Sequence, residues 1–172
     1  MRFLILPLLL TAIPAAAQQR HDTNAPISFD AGHIELQDKA NRALLSGKVA
    51  VKQSEMTLNA ERVTVAYTGQ VVDGSPQVSR MDASGGVVVT RPDQAARGQY
   101  AIYDLNSRVI TMLGAVTLTQ GTNTVRGGRL TINLDTGRAV VDGSAVSSGA
   151  ATGGVTQSGG RVSGTFSVPK RN

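Results

Sequence analysis

The chain has 172 residues, a formal net charge of +5 and no cysteine. Its length is typical of a single domain, and the lack of cysteine excludes disulfides, thiol chemistry and a cysteine-linked lipid anchor. Nucleic-acid binding is not expected, because a chain with three Tyr, three Phe and no Trp offers few side chains for base stacking.

The first 17 residues have the pattern of a secretory signal peptide. Arg2 precedes the apolar run FLILPLLLTAIPA, and the alanines at 15–17 precede Gln18. A basic start, an apolar segment and small residues before a cleavage site define such signals. The apolar run is too short and too interrupted by proline to be a good membrane anchor. We therefore expect cleavage after Ala17 and export of residues 18–172.

The exported chain is basic. Without Arg2 it keeps 16 basic residues (17 less one) against 12 acidic ones, a formal charge of +4. These basic residues are spread along the sequence rather than clustered. Two interpretations stay open: a solvated surface that keeps the protein soluble, or attraction to anionic partners.

Two short patterns repeat along the chain. Residues 46–67 and 113–134 align without a gap at a shift of 67, which places Gly47 on Gly114. The first pattern, apolar-x-(Ala/Gly)-x-x-apolar-x-apolar, starts at Phe29, Leu58, Ala96 and Val125. The second, a glycine followed by alternating apolar residues, starts at Gly47, Gly85, Gly114 and, weakly, Gly143. Such periodicity indicates units that bury their apolar faces by stacking.

Within each unit the apolar residues recur at every second position, which indicates strands with one apolar face. The apolar parity flips after Gln53 and again before Val63, as expected where a strand turns or crosses to another face. No segment after the signal has a convincing helical period. We predict an elongated all-β protein of repeated short strands, either a long jelly roll or a β-solenoid.

The chain divides into four predicted parts. Residues 1–17 are the signal peptide, and residues 18–142 form the β domain. Residues 143–160 include SSGAATGGVTQSGG and are typical of a linker or a poorly ordered segment. Residues 161–172 supply one last strand and a tail. Open sheet ends permit strand addition, so strands near 27–36 and 162–168 are candidates for self-association.

The sequence gives little support for catalysis. Its two histidines, His21 and His33, cannot form a metal centre of the cupin kind, and His33 is expected to be an exposed strand residue. Asp38, Asp104 and Asp135 stand at strand junctions, where aspartates commonly form turns. No nucleophile elbow or phosphate-binding loop is present. We predict no enzyme activity, no metal and no cofactor.

The apolar interior is the remaining candidate for function. In most all-β proteins the apolar face of a sheet is simply packed core. The alternative interpretation is therefore a structural or adhesive β-solenoid with a filled core and no lipid ligand. Many interior positions are small, however, and an under-filled interior can take acyl chains. These small positions are Ala43, Gly47, Ala60, Gly98, Ala101, Gly114 and Gly127.

Four stretches together resemble periplasmic lipopolysaccharide-transport proteins of the LptA/OstA type. They are TNAPISFDAGHIELQD, LLSGKVAVKQSEMTLNAERVTV, ARGQYAIYDLNSRVITMLGAVTLTQGTNTVRGGRLTINL and the closing GRVSGTFSVPKR. The resemblance implies a twisted, open, antiparallel β-jelly roll in the periplasm that binds the lipid A part of lipopolysaccharide between two sheets. It also implies head-to-tail stacking into a bridge between inner-membrane and outer-membrane partners of similar jelly-roll fold, driven by an ATPase elsewhere.

The resemblance, taken with the alternation, also suggests which residues line the lipid groove through apolar contact alone. Tyr103 and Leu105 stand in YAIYDL, which matches a family segment that lines the groove. The full predicted set is Thr23, Ile27 and Phe29 on the entry strand, then Val49, Val51, Val87, Val89, Tyr103 and Leu105.

Overall fold

A computed structural model of the chain describes residues 21–69, 76–143 and 160–166. These residues form one antiparallel sheet of ten strands. Apart from a single 3-10 turn, Asp38–Ala40, the described residues contain no helix, and so none that could cross a membrane. The strands are β1 Ile27–Asp30, β2 His33–Gln37, β3 Arg42–Gln53, β4 Met56–Thr68, β5 Gln77–Arg91, β6 Gln94–Asp104, β7 Val109–Gln120, β8 Asn123–Asn133, β9 Ala139–Asp142 and β10 Ser163–Thr165.

The sheet consists of six long strands with a broken strand at each edge. Strands β3 to β8 follow one another as hairpins in chain order. On one side, β1 and β2 pair with different parts of β3. On the other side, β9 and β10 pair with different parts of β8. Each edge therefore carries two short strands instead of one long one.

The sheet bends along a line that crosses the long strands near their middle. The register of neighbouring strands shifts there, for example between Ser46 and Val49 of β3 and between Ser84 and Val87 of β5. The first residue at each bend of β3, β5 and β7 is a glycine with φ between +82° and +87°, a conformation that costs other residues strain. These glycines are Gly47, Gly85 and Gly114.

The bend divides the sheet into two layers. Layer 1 contains β1, β10 and residues 49–53, 56–60, 87–91, 94–98, 116–120 and 123–127. Layer 2 contains β2, β9 and residues 42–46, 62–68, 77–84, 100–104, 109–113 and 129–133. Because the inner faces of both layers are buried and no other element covers them among the described residues, the layers cover each other.

The repeated sequence patterns mark the two sides of this bend. The glycine that begins the second pattern lies at the bend of β3, β5 and β7. The small third residue of the first pattern lies at the bend of β4, as Ala60, and of β6, as Gly98. Small residues are needed there because backbone and side chains approach closely. A Cβ on Gly85 would lie 2.6 Å from the Cβ of Glu61.

The predicted all-β jelly roll is confirmed. A single sheet that folds into two layers is a jelly roll and not a β-solenoid. The predicted strands occur with the predicted alternation, so that Val63, Val65 and Tyr67 share the inner face of layer 2. His33 is exposed on β2, as expected. The predicted signal peptide, 1–17, and most of the predicted linker, 144–159, lie outside the described residues, and β10 lies within the predicted C-terminal strand region.

Candidate functional site: the interior between the two layers and its mouth

The inner faces of both layers are continuous apolar rows that run across all the long strands. In layer 1, cross-strand neighbours carry the row from Phe29 on β1 to Val125 on β8. In layer 2 a matching row runs from Ile34 on β2 to Val141 on β9. Neighbouring strands lie about 4.8 Å apart, so each row spans roughly 30 Å. The interior is therefore a long apolar layer, not a compact cluster.

Four of the predicted groove residues lie together on the inner face of layer 1. They are Val49, Val51, Val87 and Val89, each no more than 4% exposed. Alternation along β3 and β5 places all four on the same face. The apolar alternation at every second residue thus places these four valines on one surface.

The other predicted residues lie around the open side of the two layers. Tyr103, only 1% exposed, stands at the end of β6 in layer 2, and Leu105 packs against the core just beyond it. On β1, Ile27 also packs against the core, whereas Phe29 is 47% exposed at the sheet edge. Thr23 belongs to residues 21–26, which precede β1 and which we call the N-terminal strap.

Gln53 connects the strap with both layers, although it was not among the predicted site residues. It is the buried polar residue of the described core, 2% exposed. Its Nε2 donates to the carbonyl oxygens of Thr23, at 3.0 Å, and Ala25, at 3.2 Å. Its Oε1 accepts from the Tyr103 hydroxyl at 2.7 Å and lies 3.3 Å from Nε2 of His21. Every polar atom of this amide therefore has a partner, as a buried amide requires.

The strap is also held on the layer 2 side. Thr23 Oγ1 donates to the Asp135 carboxylate at 3.4 Å, and the Arg108 guanidinium donates to Asn24 Oδ1 at 3.1 Å. Arg108 also forms an ion pair with Asp135 at 3.4 Å. Since Gln53 ends β3 in layer 1, while Arg108 and Asp135 stand in turns of layer 2, the strap spans the gap between the free ends of the layers.

A polar cavity of about 490 Å³ marks this gap, which we call the mouth. Its walls come from the layer 1 hairpin turns around Glu55 and Arg91 and from the layer 2 turn at 134–137. His21, the first residue of the strap, also lines this cavity. The mouth is therefore lined mainly by polar residues, whereas the interior behind it is apolar.

Burial shifts the titration of two groups at the mouth. It raises the pKa of the Tyr103 hydroxyl to about 12, against the opposing effect of its hydrogen bond to Gln53. Burial also lowers the pKa of the His21 imidazole, because the charged ring loses solvation. Both shifts favour the neutral forms, in which the Tyr103 hydroxyl donates to Gln53 Oε1.

The other two turn aspartates, Asp104 and Asp38, accept hydrogen bonds within their own layer. Asp104 Oδ1 accepts from the backbone N–H of Ser107 at 2.9 Å, and this bond is the main reason that the pKa of Asp104 is lowered. Asp38 accepts from the Tyr67 hydroxyl at 3.1 Å. Within the described residues no group of three or more His, Asp or Glu side chains is placed to hold a metal ion.

The interior is filled, which differs from the under-filled groove that the small residues suggested. Ala43, Ala60 and Ala101 are at most 7% exposed, and larger side chains are buried in the same interior, such as Met112, the cross-strand partner of Ala101. Methionine is flexible enough to fill irregular gaps of this kind. A ligand in the interior would therefore need the two layers to move apart.

Comparison with known proteins places this arrangement in a family. The family described as "LptA/(LptD N-terminal domain) LPS transport protein" matches residues 29–138, which is more than half of the chain. An uncharacterized protein of Rhizobium meliloti (strain 1021) is 32% identical over 121 residues. That alignment covers 68% of this chain and 65% of the relative, so the chain matches just under two thirds of the relative's length.

A solved structure has the same fold. It is LptH of Pseudomonas aeruginosa, described as the LptA homologous periplasmic component of the lipopolysaccharide transport device. The TM-score is 0.70 at 18% identity, and the superposition covers 86% of this chain and 99% of LptH. This superposition shows the fold, and the family match over residues 29–138 shows that the chain belongs to the LptA/LptD N-terminal-domain family of lipopolysaccharide transport proteins.

Proposed function

We propose that this protein is a periplasmic carrier that binds the lipid A part of lipopolysaccharide between its two layers. The observation that carries the proposal is the pair of apolar rows that run without interruption from one sheet edge to the other. The family match agrees with a transport protein.

The size of the hydrophobic effect explains why such a carrier is needed. An acyl chain of about 12 methylenes gains roughly 10 kcal/mol on leaving water, at ~0.8 kcal/mol per CH₂. A molecule with several such chains cannot cross an aqueous compartment unshielded. Rows of equivalent apolar positions shield the chains at every step and let them slide from one strand pair to the next.

Entry of lipid requires the mouth to open, because the interior is filled. The strap joins the free ends of both layers through Gln53 and Asp135, so it has to release at least one of them. The nine predicted groove residues remain our candidates for acyl contact. Among them Thr23, whose carbonyl and hydroxyl hold the strap, lies at the entrance rather than in the interior.

The broken edges suit end-to-end assembly. Among the described residues, no further strand pairs with the outer side of β1 and β2 at one edge or of β9 and β10 at the other. Strand addition at these edges would join copies head to tail, and would join the end copies to inner-membrane and outer-membrane partners of similar fold. Such a chain of jelly rolls would extend the apolar rows into a bridge for lipopolysaccharide export.

Lipopolysaccharide binding by matched aspartate variants tests the carrier. Val89, buried on the inner face, and Thr90, exposed on the outer face, are neighbours on β5. Both Val89→Asp and Thr90→Asp add one negative charge to the same strand. We expect lipid to co-elute in size-exclusion chromatography with the wild type and Thr90→Asp but not with a folded Val89→Asp. Circular dichroism and urea unfolding establish which variants are folded.

A second measurement avoids the risk that a buried charge unfolds the protein. Photo-reactive side chains at Phe29, on the inner row of β1, and at its outward neighbour Ser28 leave the interior unchanged. Crosslinks to lipopolysaccharide from position 29 and not from 28 support an interior site. Equal crosslinking from both positions, or no binding by the folded wild type, would favour the structural β protein with a filled core.

A further inference from the structure

The outer face of layer 2 carries an apolar patch that no described element covers. Tyr100, 47% exposed, and Val140, 36% exposed, project outward from this face. The other large hydrophobic side chains that are exposed in the described residues belong to the inner rows of β1 and β2 or flank β10. Tyr100 and Val140 differ from them because they point away from the interior.

The patch extends over four neighbouring strands, β6 to β9. Tyr100 is the cross-strand partner of Leu113, and Thr131 is that of Val140. Apolar residues and threonines fill the outward positions between them. We call this set the outer patch, and it consists of Tyr100, Ile102, Val109, Thr111, Leu113, Thr131 and Val140. A contiguous exposed patch of this kind, rimmed by polar residues, marks an interaction site.

Arg129 borders the outer patch and has an atom without a partner. It is the cross-strand neighbour of Leu113 on β8. Its Nε is buried and donates no hydrogen bond to any described residue. A buried donor that lacks an acceptor costs free energy, so a molecule seated on the patch that offers an oxygen here would remove that cost. Arginine and tyrosine are also the residue types that most often dominate protein interfaces.

The row that contains Tyr100 is complementary to its own reversed copy. From β4 to β9 its outward residues are Arg62, Ser84, Tyr100, Leu113, Arg129 and Asp142. The centre of the row lies between Tyr100 and Leu113. Reversal of the row about this centre places Arg62 opposite Asp142 at both ends, and it places Arg129 opposite Ser84. A surface that matches itself in this way is what a two-fold dimer requires.

The remaining charges of the face do not oppose such a pairing. The outward positions of layer 2 in the described strands hold four arginines and four acids, so two copies of the face carry no net repulsion. They are Glu35, Arg42, Arg62, Arg80, Asp82, Asp104, Arg129 and Asp142. The Arg80–Asp82 ion pair, at 2.7 Å, is already satisfied within one copy.

The shape and the size of the face also suit a second copy. Sheets twist, and two sheets of the same twist pack face to face with their strands about 30° apart. A second copy has the same twist by identity. Six strands at about 4.8 Å, with three outward positions per strand at roughly 6.8 Å, give about 600 Å² per copy. The total of about 1,200 Å² is at the lower end for specific interfaces, as expected of a reversible dimer.

We propose that two copies of this protein pair through the outer faces of layer 2, about a two-fold axis that runs along the strands between β6 and β7. Tyr100 of each copy packs on Leu113 of the other, and Arg62 of each pairs with Asp142 of the other. The Nε of Arg129 donates to the Ser84 hydroxyl of the second copy. The apolar rows of the two copies run in opposite directions. This contact uses neither the sheet edges nor the mouth, so it is distinct from head-to-tail stacking.

Sedimentation equilibrium of the exported protein, without lipid, tests the proposal independently of the carrier function. Tyr100→Glu places a charge in the outer patch, and Ala95→Glu places the same charge on β6 at an outward position of layer 1. We expect the wild type and Ala95→Glu to dimerise equally. Tyr100→Glu should weaken the dimer about tenfold per copy, and so roughly a hundredfold in total, because each charge would be buried against an apolar side chain. Circular dichroism establishes that both variants are folded.

A charge exchange tests the predicted orientation of the two copies. Arg62 and Asp142 are both exposed, so their substitution leaves the interior unchanged. Arg62→Asp alone and Asp142→Arg alone should each weaken the dimer about tenfold, because like charges then face each other. The protein with both substitutions should regain the affinity of the wild type, because opposite charges face each other again.

Three results would overturn the proposal. The first is a wild type that stays monomeric at every concentration. The second is association that Tyr100→Glu and Ala95→Glu change equally or not at all, which would assign self-association to the sheet edges. The third is a double variant of Arg62 and Asp142 that dimerises no better than either single variant, which would exclude the two-fold pairing described here.

Discussion

The hydroxyl of Tyr103 donates a 2.7 Å hydrogen bond to Oε1 of Gln53, which joins the end of β6 in layer 2 to the end of β3 in layer 1. The two residues are 50 positions apart in the chain. Their bond closes the interior behind the mouth, while the amide nitrogen of Gln53 holds the strap. One buried amide thus joins layer 1, layer 2 and the strap at the open side of the jelly roll.

Removal of this amide should loosen the strap. Gln53→Ala leaves the carbonyls of Thr23 and Ala25 and the Tyr103 hydroxyl without their partner, which should lower the free energy of unfolding by about 1–3 kcal/mol. Hydrogen exchange of residues 21–26 should accelerate more than exchange in β4. Gln94→Ala, in the neighbouring hairpin at the mouth, is the control. Unchanged exchange in the strap of Gln53→Ala would contradict the role given to Gln53.

Stability should fall at high pH through Tyr103. Burial raises its pKa from 10.0 to about 12, so the unfolded chain loses this proton first and the folded state loses stability as the pH rises from about 10 to 12. Below pH 10 the contribution of Tyr103 is constant. The loss should reach roughly 2 kcal/mol, and a folded Tyr103→Phe should not show it. Urea unfolding of both proteins from pH 8 to 12 checks this. A stability difference between them that stays constant across this range would show that the tyrosine does not titrate differently in the folded state.

A covalent lock on the layer 2 side of the strap should hinder lipid entry. The chain has no cysteine, and the side-chain oxygens of Thr23 and Asp135 lie 3.4 Å apart. A Thr23→Cys, Asp135→Cys protein makes the test once mass spectrometry shows that a disulfide has formed on oxidation. We expect the oxidised protein to lose part of its lipopolysaccharide binding, because the strap can then release only Gln53, and a reductant to restore it. The single Thr23→Cys variant controls for loss of the threonine, and equal binding in both redox states would show that lipid entry does not require release from Asp135.

The bend should tolerate substitution poorly. Gly85→Ala combines a φ of +87° with a Cβ placed 2.6 Å from the Cβ of Glu61. Together these should cost at least ~2 kcal/mol in the free energy of unfolding. Gly121→Ala is the matched control, because Gly121 has a φ of +57° but a Cβ added there would meet no atom within 4 Å, so it should cost about 1 kcal/mol. Urea unfolding gives both values, and equal losses would mean that the contact with Glu61 is unimportant.

The sequence predicted the strands and the bend well because both depend on local patterns. Alternation along β4 identified Leu58 on one side of the bend and Val63 on the other, and the flip between them is the bend itself. Of the four glycines grouped by their spacing, Gly47, Gly85 and Gly114 lie at the bend, whereas Gly143 follows the end of β9. The positive φ values of the three bend glycines could be known only from the structure. The resemblance of four stretches to LptA/OstA-type proteins predicted the family, and the family match over residues 29–138 confirms it.

The mouth was predicted less completely because it depends on contacts between distant segments. Gln53 could have been noticed, since it occupies the same parity as Val49 and Val51 on β3 and is a polar residue at an apolar position. Its partners could not have been identified, because His21 and Tyr103 reach it only when the layers fold together. Whether the interior is filled depends on side-chain packing, which alternation does not reveal.

The breaks in the two edges have a consequence for partner choice. A straight β-strand from an unrelated protein could pair with β1 or with β2, but not with both, because the edge turns a corner near Gly32, whose N–H bonds to the Gly47 carbonyl at 2.9 Å. A strand that bends at its own corner could follow the whole edge. The bent edge therefore disfavours amyloid-like pairing with flat strands. Pairing along the whole edge requires a partner strand with the same bend.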